Sequence, residues 1–285
     1  MILLQVIVGG LLLGAVYALL SSGLTLIWGM MNFINFAHGE FVMLGMYAAL
    51  LTVLWIGGGP GIFGFAAALA LFFLGILVYF SLIKEVMRGP MLAQILSTFG
   101  LSLLLRYAAF WVFSPNVMTL PPTALAGTID LGGILLTGAQ LVAGLVAAVL
   151  TLGMHLLLTR SRVGSQLLAV AEDRNAAMLM GIRPDRMQAL AWGLSAASAG
   201  IAGALWAISF PFSPAVGETF ALTAFVVVTL GGFGSVPGAM LAGLIVGLIQ
   251  ALSAYWLGPI YKDVVVYGLF VALLWLRPQG LLGTV

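Results

Sequence analysis

The sequence predicts an all-α integral membrane protein, a polytopic bundle of eight or nine transmembrane helices with broken or re-entrant segments and one short cytoplasmic helix. Three observations carry this. Hydrophobic residues make up 63% of the 285 positions and charged residues only 6%, against about a quarter charged in a soluble domain. Mean hydropathy is +1.22, and long apolar runs recur along the whole chain, as membrane-spanning helices require. The runs do not alternate apolar and polar residues, which excludes a β-barrel. So few charges leave no room for a sizeable extramembrane module, and a single transmembrane domain over residues 1–285 follows.

Apolar segments fall at residues 2–28, 41–56, 61–83, 91–113 and 135–158, then at 187–209, 220–230, 237–257 and 264–276. The seventh and ninth are short for a span of about 20 residues, so eight spans is the nearest alternative to nine. The first ten residues carry no basic residue, which argues against a cleaved leader and for retention of segment one as a span. Lys84 and Arg88 mark one connection, Arg160, Arg162, Arg174, Arg183 and Arg186 another, and Arg277 the end; the positive-inside rule places all of them in the cytoplasm. Residues 114–134, 210–219 and 258–261 then lie outside, and parity puts the N-terminus outside too. Small residues at helical spacing, such as Gly193 with Ala197 and Ser195 with Ala199 and Gly203, read as close helix contacts with no function of their own.

Loop 159–188 holds eight of the eighteen charged residues. Within it, residues 166–180 read as a short amphipathic helix, and Gly181 is placed to end it as a left-handed cap. Glu172, Asp173 and Arg174 form a mixed-sign cluster. A helix lying on lipid headgroups would be mostly basic, so docking of a soluble partner is favoured over an interfacial helix.

Two further places interrupt the apolar pattern. Asn32, Asn35, His38 and Glu40 fall where one span ends and another begins. Ionisable and amide groups at that depth need partners, which makes them pathway candidates; the alternative is a turn whose side chains satisfy freed backbone groups. If the stretch is helical, Asn32, Asn35 and His38 share a face and Glu40 points elsewhere. The second interruption is Gly231, Gly232, Gly234 and Pro237, which favours an unwound stretch or a tight turn. An internal repeat relating the two breaks has little residue-level support.

No cysteine is present and His38 and His155 are the only imidazoles, so thiolate, redox and zinc chemistry have no ligands to work with. No H-E-x-x-H, no nucleophile with a nearby base and no G-K-[ST] phosphate loop occurs, so the expectation is a protein without catalytic residue, metal or cofactor. The basic residues serve membrane orientation, which leaves nothing for nucleic acid. A self-contained secondary transporter would hold several coupling groups inside the membrane, whereas a backbone-lined channel would leave little trace in the side chains.

Four segments resemble permease subunits of bacterial ABC importers for branched-chain amino acids: GSQLLAVAEDRNAAMLMGI at 164–182, GLTLIWGMMNFINFAHGEFVMLGMYAA at 23–49, LGGFGSVPGAMLAG at 230–243 and LRPQGLLG at 276–283. The Ile34 to Glu40 core looks like the LivH-type subunit rather than its LivM-type partner. The resemblance implies a coupling helix seated in a cleft of the ATPase through Glu172, Asp173, Arg174, Ala177 and Gly181. It also implies two cytoplasmic ATPase subunits that bind the ATP, a second, LivM-type permease, an extracytoplasmic binding protein, and residence in the bacterial inner membrane. Leu168 stands where the family commonly has arginine, so that contact does not carry over. Leucine, isoleucine and valine are the implied substrates; relatives of this kind also carry other amino acids, urea or short amides.

The orientation is testable because the chain lacks cysteine. Single cysteines at Ser165 and Asn116 are expected to react with an impermeant thiol reagent from opposite sides of the membrane, Asn116 from outside. Labelling of both positions in intact cells would contradict the arrangement.

Overall fold

In the computed structural model, which describes residues 1–57, 59–121, 125, 127–130, 133–276 and 279–282, the apolar segments all become helices. They are α1 (Ile2–Met31), α2 (His38–Trp55), α3 (Pro60–Val86), α4 (Met91–Phe113), α5 (Gly138–Arg160), α8 (Pro184–Ala207), α9 (Val216–Gly231), α10 (Val236–Trp256) and α11 (Lys262–Leu276). Among the described residues, seven of the nine are long and apolar enough to cross a membrane; α9 is short, as the sequence indicated. Loop 159–188 supplies α6 (Arg162–Glu172) and α7 (Arg174–Leu179). A two-stranded hairpin, β1 (Thr128–Asp130) against β2 (Leu135–Thr137), precedes α5 in register Thr128↔Thr137. Arg277, Pro278 and Gly283, assigned above to the cytoplasmic end or the last motif, lie outside the described residues.

The core is built by α1, α2, α8 and α10, because these are the helices whose sequences place small residues on their faces. Gly10 and Gly14 of α1 meet Gly243 and Gly247 of α10, running antiparallel; a Cβ on Gly14 would come within 2.7 Å of the Gly243 carbonyl. Gly23 of α1 lies on Ser195 and Ser198 of α8, and Gly45 of α2 lies on Gly200. Between helices that share an apolar solvent, such close packing replaces the hydrophobic drive that lipid removes. The small residues of α8 therefore make bundle contacts: Gly193 receives Phe72, and Gly203 receives the backbone at Val42. By contrast α3, α4, α5 and α11 carry much exposed apolar surface, with Phe65, Tyr107, Trp111, Leu145 and Trp275 all more than 60% accessible, as suits an outer ring against lipid or another subunit.

Where helices stop, the freed backbone groups are met locally. The terminal segment returns to α9, with Leu281 and Leu282 donating to the carbonyls of Leu230 and Gly231 at 2.8 and 3.0 Å, and Gly280 (φ +75°) makes the turn. The final motif thus closes the end of α9. Thr137 and Gln140 form a reciprocal capping box at the start of α5. A polar chain crosses three helices: Tyr17 donates to Gln250 at 2.7 Å, and Gln250 to Asp263 at 2.9 Å.

Candidate functional site

The first break is not helical, so the face that Asn32, Asn35 and His38 would share in a helix does not form. Residue 32 closes α1 in the left-handed conformation (φ 49°), a geometry asparagine tolerates better than most, and its side chain is exposed. Residues 32–37 then run back alongside α1. Asn35 is buried and its Oδ1 accepts from the Ala37 amide at 3.0 Å, an Asx turn that steers the chain into α2. His38 opens α2 deep in the bundle. Its Nε2 lies 2.7 Å from the Leu20 carbonyl, which can only accept, so Nε2 carries the proton. Because Leu20 lies well inside α1, α2 begins beside the body of α1 rather than beyond its end. The segment is re-entrant in this sense, and Asn32 stays at the rim, apart from the other three.

Glu40 does point away from His38, toward a residue the sequence reading passed over. Arg106 on α4 donates from Nη2 and Nε to Glu40 Oε1 at 2.6 and 3.0 Å, and from Nη1 to Glu218 Oε2 at 2.8 Å. Glu40 is only 1% accessible, Arg106 18% and Glu218 67%. One guanidinium thus ties α2, α4 and α9 together inside the bundle. Geometry of this kind is needed because a carboxylate taken out of water is tolerated only with a partner and hydrogen bonds.

Glu40 and Glu218 are equivalent residues. Each is the third residue of a helix that follows a break: Ala37-His38-Gly39-Glu40 opens α2 and Ala215-Val216-Gly217-Glu218 opens α9. His38 and Val216 each donate a backbone N–H three residues back, to Asn35 and Ser213. The two helix starts touch, since Gly39 lies on the Gly217 carbonyl and Ala221, and a Cβ on Gly217 would collide with the Glu40 carboxylate. Both glycines are required by that approach. Carboxylates in the first turn also complement the positive end of each helix. The break that mirrors the first one is therefore at residues 208–215, not the glycine run. The repeated Ala-x-Gly-Glu was visible in the sequence, and an arginine inside an apolar span was a signal as well.

The glycine run has its own geometry. Gly231 ends α9, Gly232 and Gly234 adopt φ of 98° and 82°, and Ser235 caps α10 with Pro237 in its first turn. Gly231 packs on Gly238 and Gly234 on Gly29 of α1, so this is a tight hairpin against the end of α1.

In loop 159–188 the expected single helix over 166–180 is two helices. Asp173 breaks it: extended at φ −148°, its carboxylate caps α7 by accepting from the amides of Asn175 and Ala176 at 2.8 and 3.0 Å. Gly181 (φ +80°) ends α7, its amide donating to Met178 and that of Ile182 to Ala177, the double bond of a Schellman turn. Leu167, Val170 and Ala177 are buried against Leu26 and Met30 of α1 and Ala191 of α8. Asp185 clasps Arg174 at 2.7 Å and Lys84 at 2.8 Å, tying α7 and α3 to the start of α8. The outward side carries Glu172 and Asp173 beside Leu168, Met178, Leu179 and Met180, the last two 89% and 82% accessible.

The sequence matches the family described as "Branched-chain amino acid transport system / permease component" over residues 6–274. It is 34% identical to the high-affinity branched-chain amino acid transport system permease protein BraD of Pseudomonas aeruginosa, over 98% of this chain and 95% of that protein. Identity to the permease protein LivH of Escherichia coli K12 is also 34%, with the same coverage. The LivM permease of the same bacterium is 31% identical, over 94% of this chain and 68% of its own. No solved structure matches.

Removing one member of the buried pair should cost more than removing both. Arg106→Leu strands Glu40 and is expected to destabilise the protein by about 3–5 kcal/mol. Adding Glu40→Leu should return about 1–3 kcal/mol of that loss. The check is heat denaturation of the detergent-solubilised variants; a double variant as unstable as the sum of the single changes would mean the groups are not coupled.

Proposed function

The chain belongs to the branched-chain amino acid transport permease family, and on that premise we propose that it is one half of the membrane pathway of an ATP-driven importer for leucine, isoleucine and valine. It is a multi-pass protein of the bacterial inner membrane. Its LivM-type relative is the model for a second permease beside it in the lipid bilayer; an extracytoplasmic binding protein delivers substrate, and two cytoplasmic ATPase subunits bind and hydrolyse ATP. The chain itself is not an enzyme, and holds no cofactor, metal or nucleic acid.

The observation that carries this reading is the outer surface of α6 and α7. Exposed Leu168, Met178, Leu179 and Met180 beside Glu172 and Asp173, on the end of the bundle that gathers the arginines, form a mixed apolar and acidic patch. Apolar surface of that kind marks a protein contact. Ala177 and Gly181 belong to the support of the patch, the first packed on α1 and α8, the second shaping the turn. Arg174 is engaged with Asp185 and acts as an anchor.

Motion of the ATPase would reach the pathway through packed groups. The inner side of α6 and α7 grips α1 at Leu26 and Met30; the Leu20 carbonyl of α1 holds His38; and Glu40 follows in the first turn of α2, held by Arg106 with Glu218. A displacement of the loop is thereby a displacement of the two helix starts. Asn35 shapes the entry to α2, and the hairpin of Gly231, Gly232, Gly234 and Pro237 rests on the same end of α1. A self-contained carrier or channel has no use for such a docked, outward apolar patch.

Glu172→Lys combined with Leu179→Ser is expected to abolish import and loosen the ATPase while membrane insertion stays normal. Asp173 is left in place because its loss would also remove a helix cap, costing about 0.5–2 kcal/mol. Copurification of the ATPase and uptake of labelled leucine are the readouts; full retention of both would mean the patch rests on lipid.

A further inference from the structure

The Arg106 cluster is unbalanced. Two carboxylates share one guanidinium, and among the described residues no other cation pairs with either. Glu40 Oε2 is buried without a hydrogen-bond partner. On the accessible side, Glu218 Oε1 is free, and Arg106 uses three of its five N–H donors on the two carboxylates. A net negative charge inside the bundle, presented at an accessible edge, calls for a cationic group. Lipid cannot supply it, because charge facing hydrocarbon costs a few kcal/mol or more.

The surroundings define the rest of the ligand. Glu218, Leu222 and Phe225 stand at i, i+4 and i+7, one above the other on the same face of α9. Leu222 and Phe225 line a cavity of about 260 Å³ between α9 and α11, completed by Val226, Tyr267, Phe270 and Val271. The cavity is apolar, open, and roomy enough for an aliphatic side chain of four carbons. Glu218, held by Arg106, thus stands about one helical turn from Leu222 at the edge of an apolar hollow.

Resting on the proposed transport reading, we propose that this face of α9 is a stopping point for the transported amino acid inside the permease. The α-ammonium sits on Glu218, the α-carboxylate takes the spare N–H groups of Arg106, and the aliphatic side chain enters the cavity beside Leu222 and Phe225. Glu40 holds Arg106 in place from behind and is a positioning residue. Each charged end of the zwitterion meets an opposite charge, the ammonium at Glu218 and the carboxylate at Arg106; an amine alone would leave the spare N–H groups of Arg106 unused, and a fatty acid would leave Glu218 without a cation.

The test uses the complete complex in proteoliposomes with its binding protein and radiolabelled leucine. Glu218→Gln keeps the shape and removes the charge; Leu222→Trp leaves the charges and fills the hollow. Each is expected to lower the initial uptake rate at least tenfold while the second permease subunit copurifies in normal yield, and Glu218→Asp to keep at least a third of the wild-type rate. Wild-type uptake by both Glu218→Gln and Leu222→Trp would overturn the proposal. So would loss of the second permease from both variants, which would make this face a subunit interface. A wild-type complex that carries none of leucine, isoleucine and valine would instead fail the transport reading, and the site would fall with it.

Discussion

The starts of α2 and α9 are arranged around a guanidinium that cannot be left alone. Arg106 lies in an apolar span, and the protein keeps it there by bringing two carboxylates to it from two different helices. That requirement fixes where α2 and α9 begin, because each carboxylate is the third residue of its helix. It also fixes glycine at 39 and 217, since the helix starts can meet only where neither carries a side chain. The breaks before them follow in turn: the chain must leave α1 and α8 at one depth and restart at another, and Asn35 and Ser213 form the turns that do it. A pair buried this deeply is weak evidence of stability in itself. Its value is positional, because the starts of two helices become one unit.

The rest of the molecule holds that unit and connects it to the cytoplasmic side. Close glycine contacts between α1 and α10, and between α1, α2 and α8, make a stiff centre, while α3, α4, α5 and α11 surround it with apolar surface. The loop helices seat on the ends of α1 and α8 and are clasped by Asp185 to Arg174 and Lys84. A push on α6 and α7 is therefore delivered to the helices that carry the breaks, and the acidic and apolar outer patch is where a push would be applied.

The sequence made the large features legible because bilayer physics writes them in composition. Nine apolar segments appear as nine helices, and the seventh is short. Less was legible where a short polar side chain chooses between a helical face and a local cap, and where partners are distant in sequence. Asp173 reads as one more charge in an amphipathic helix, yet its short side chain prefers to cap, so one helix became two. Asn32 and Asn35 fit a helical face on paper, but freed backbone groups claim them for a cap and an Asx turn. Arg106 went unnoticed because apolar neighbours on every side hide its partners, Glu40 and Glu218, both far away along the chain. The repeated Ala-x-Gly-Glu, however, needed no structure to be found.

The central claim is that the exposed face of α9 at Glu218 and Leu222 meets water and substrate rather than lipid. Leu222→Cys tests it most directly, as the chain holds no other thiol and the change leaves the charged cluster intact. In the assembled complex the thiol is expected to react with a charged, water-soluble maleimide, and saturating leucine with the binding protein should slow that reaction severalfold. A thiol that reacts only with a lipid-soluble maleimide, at a rate leucine does not change, would place this face against the bilayer and contradict the account.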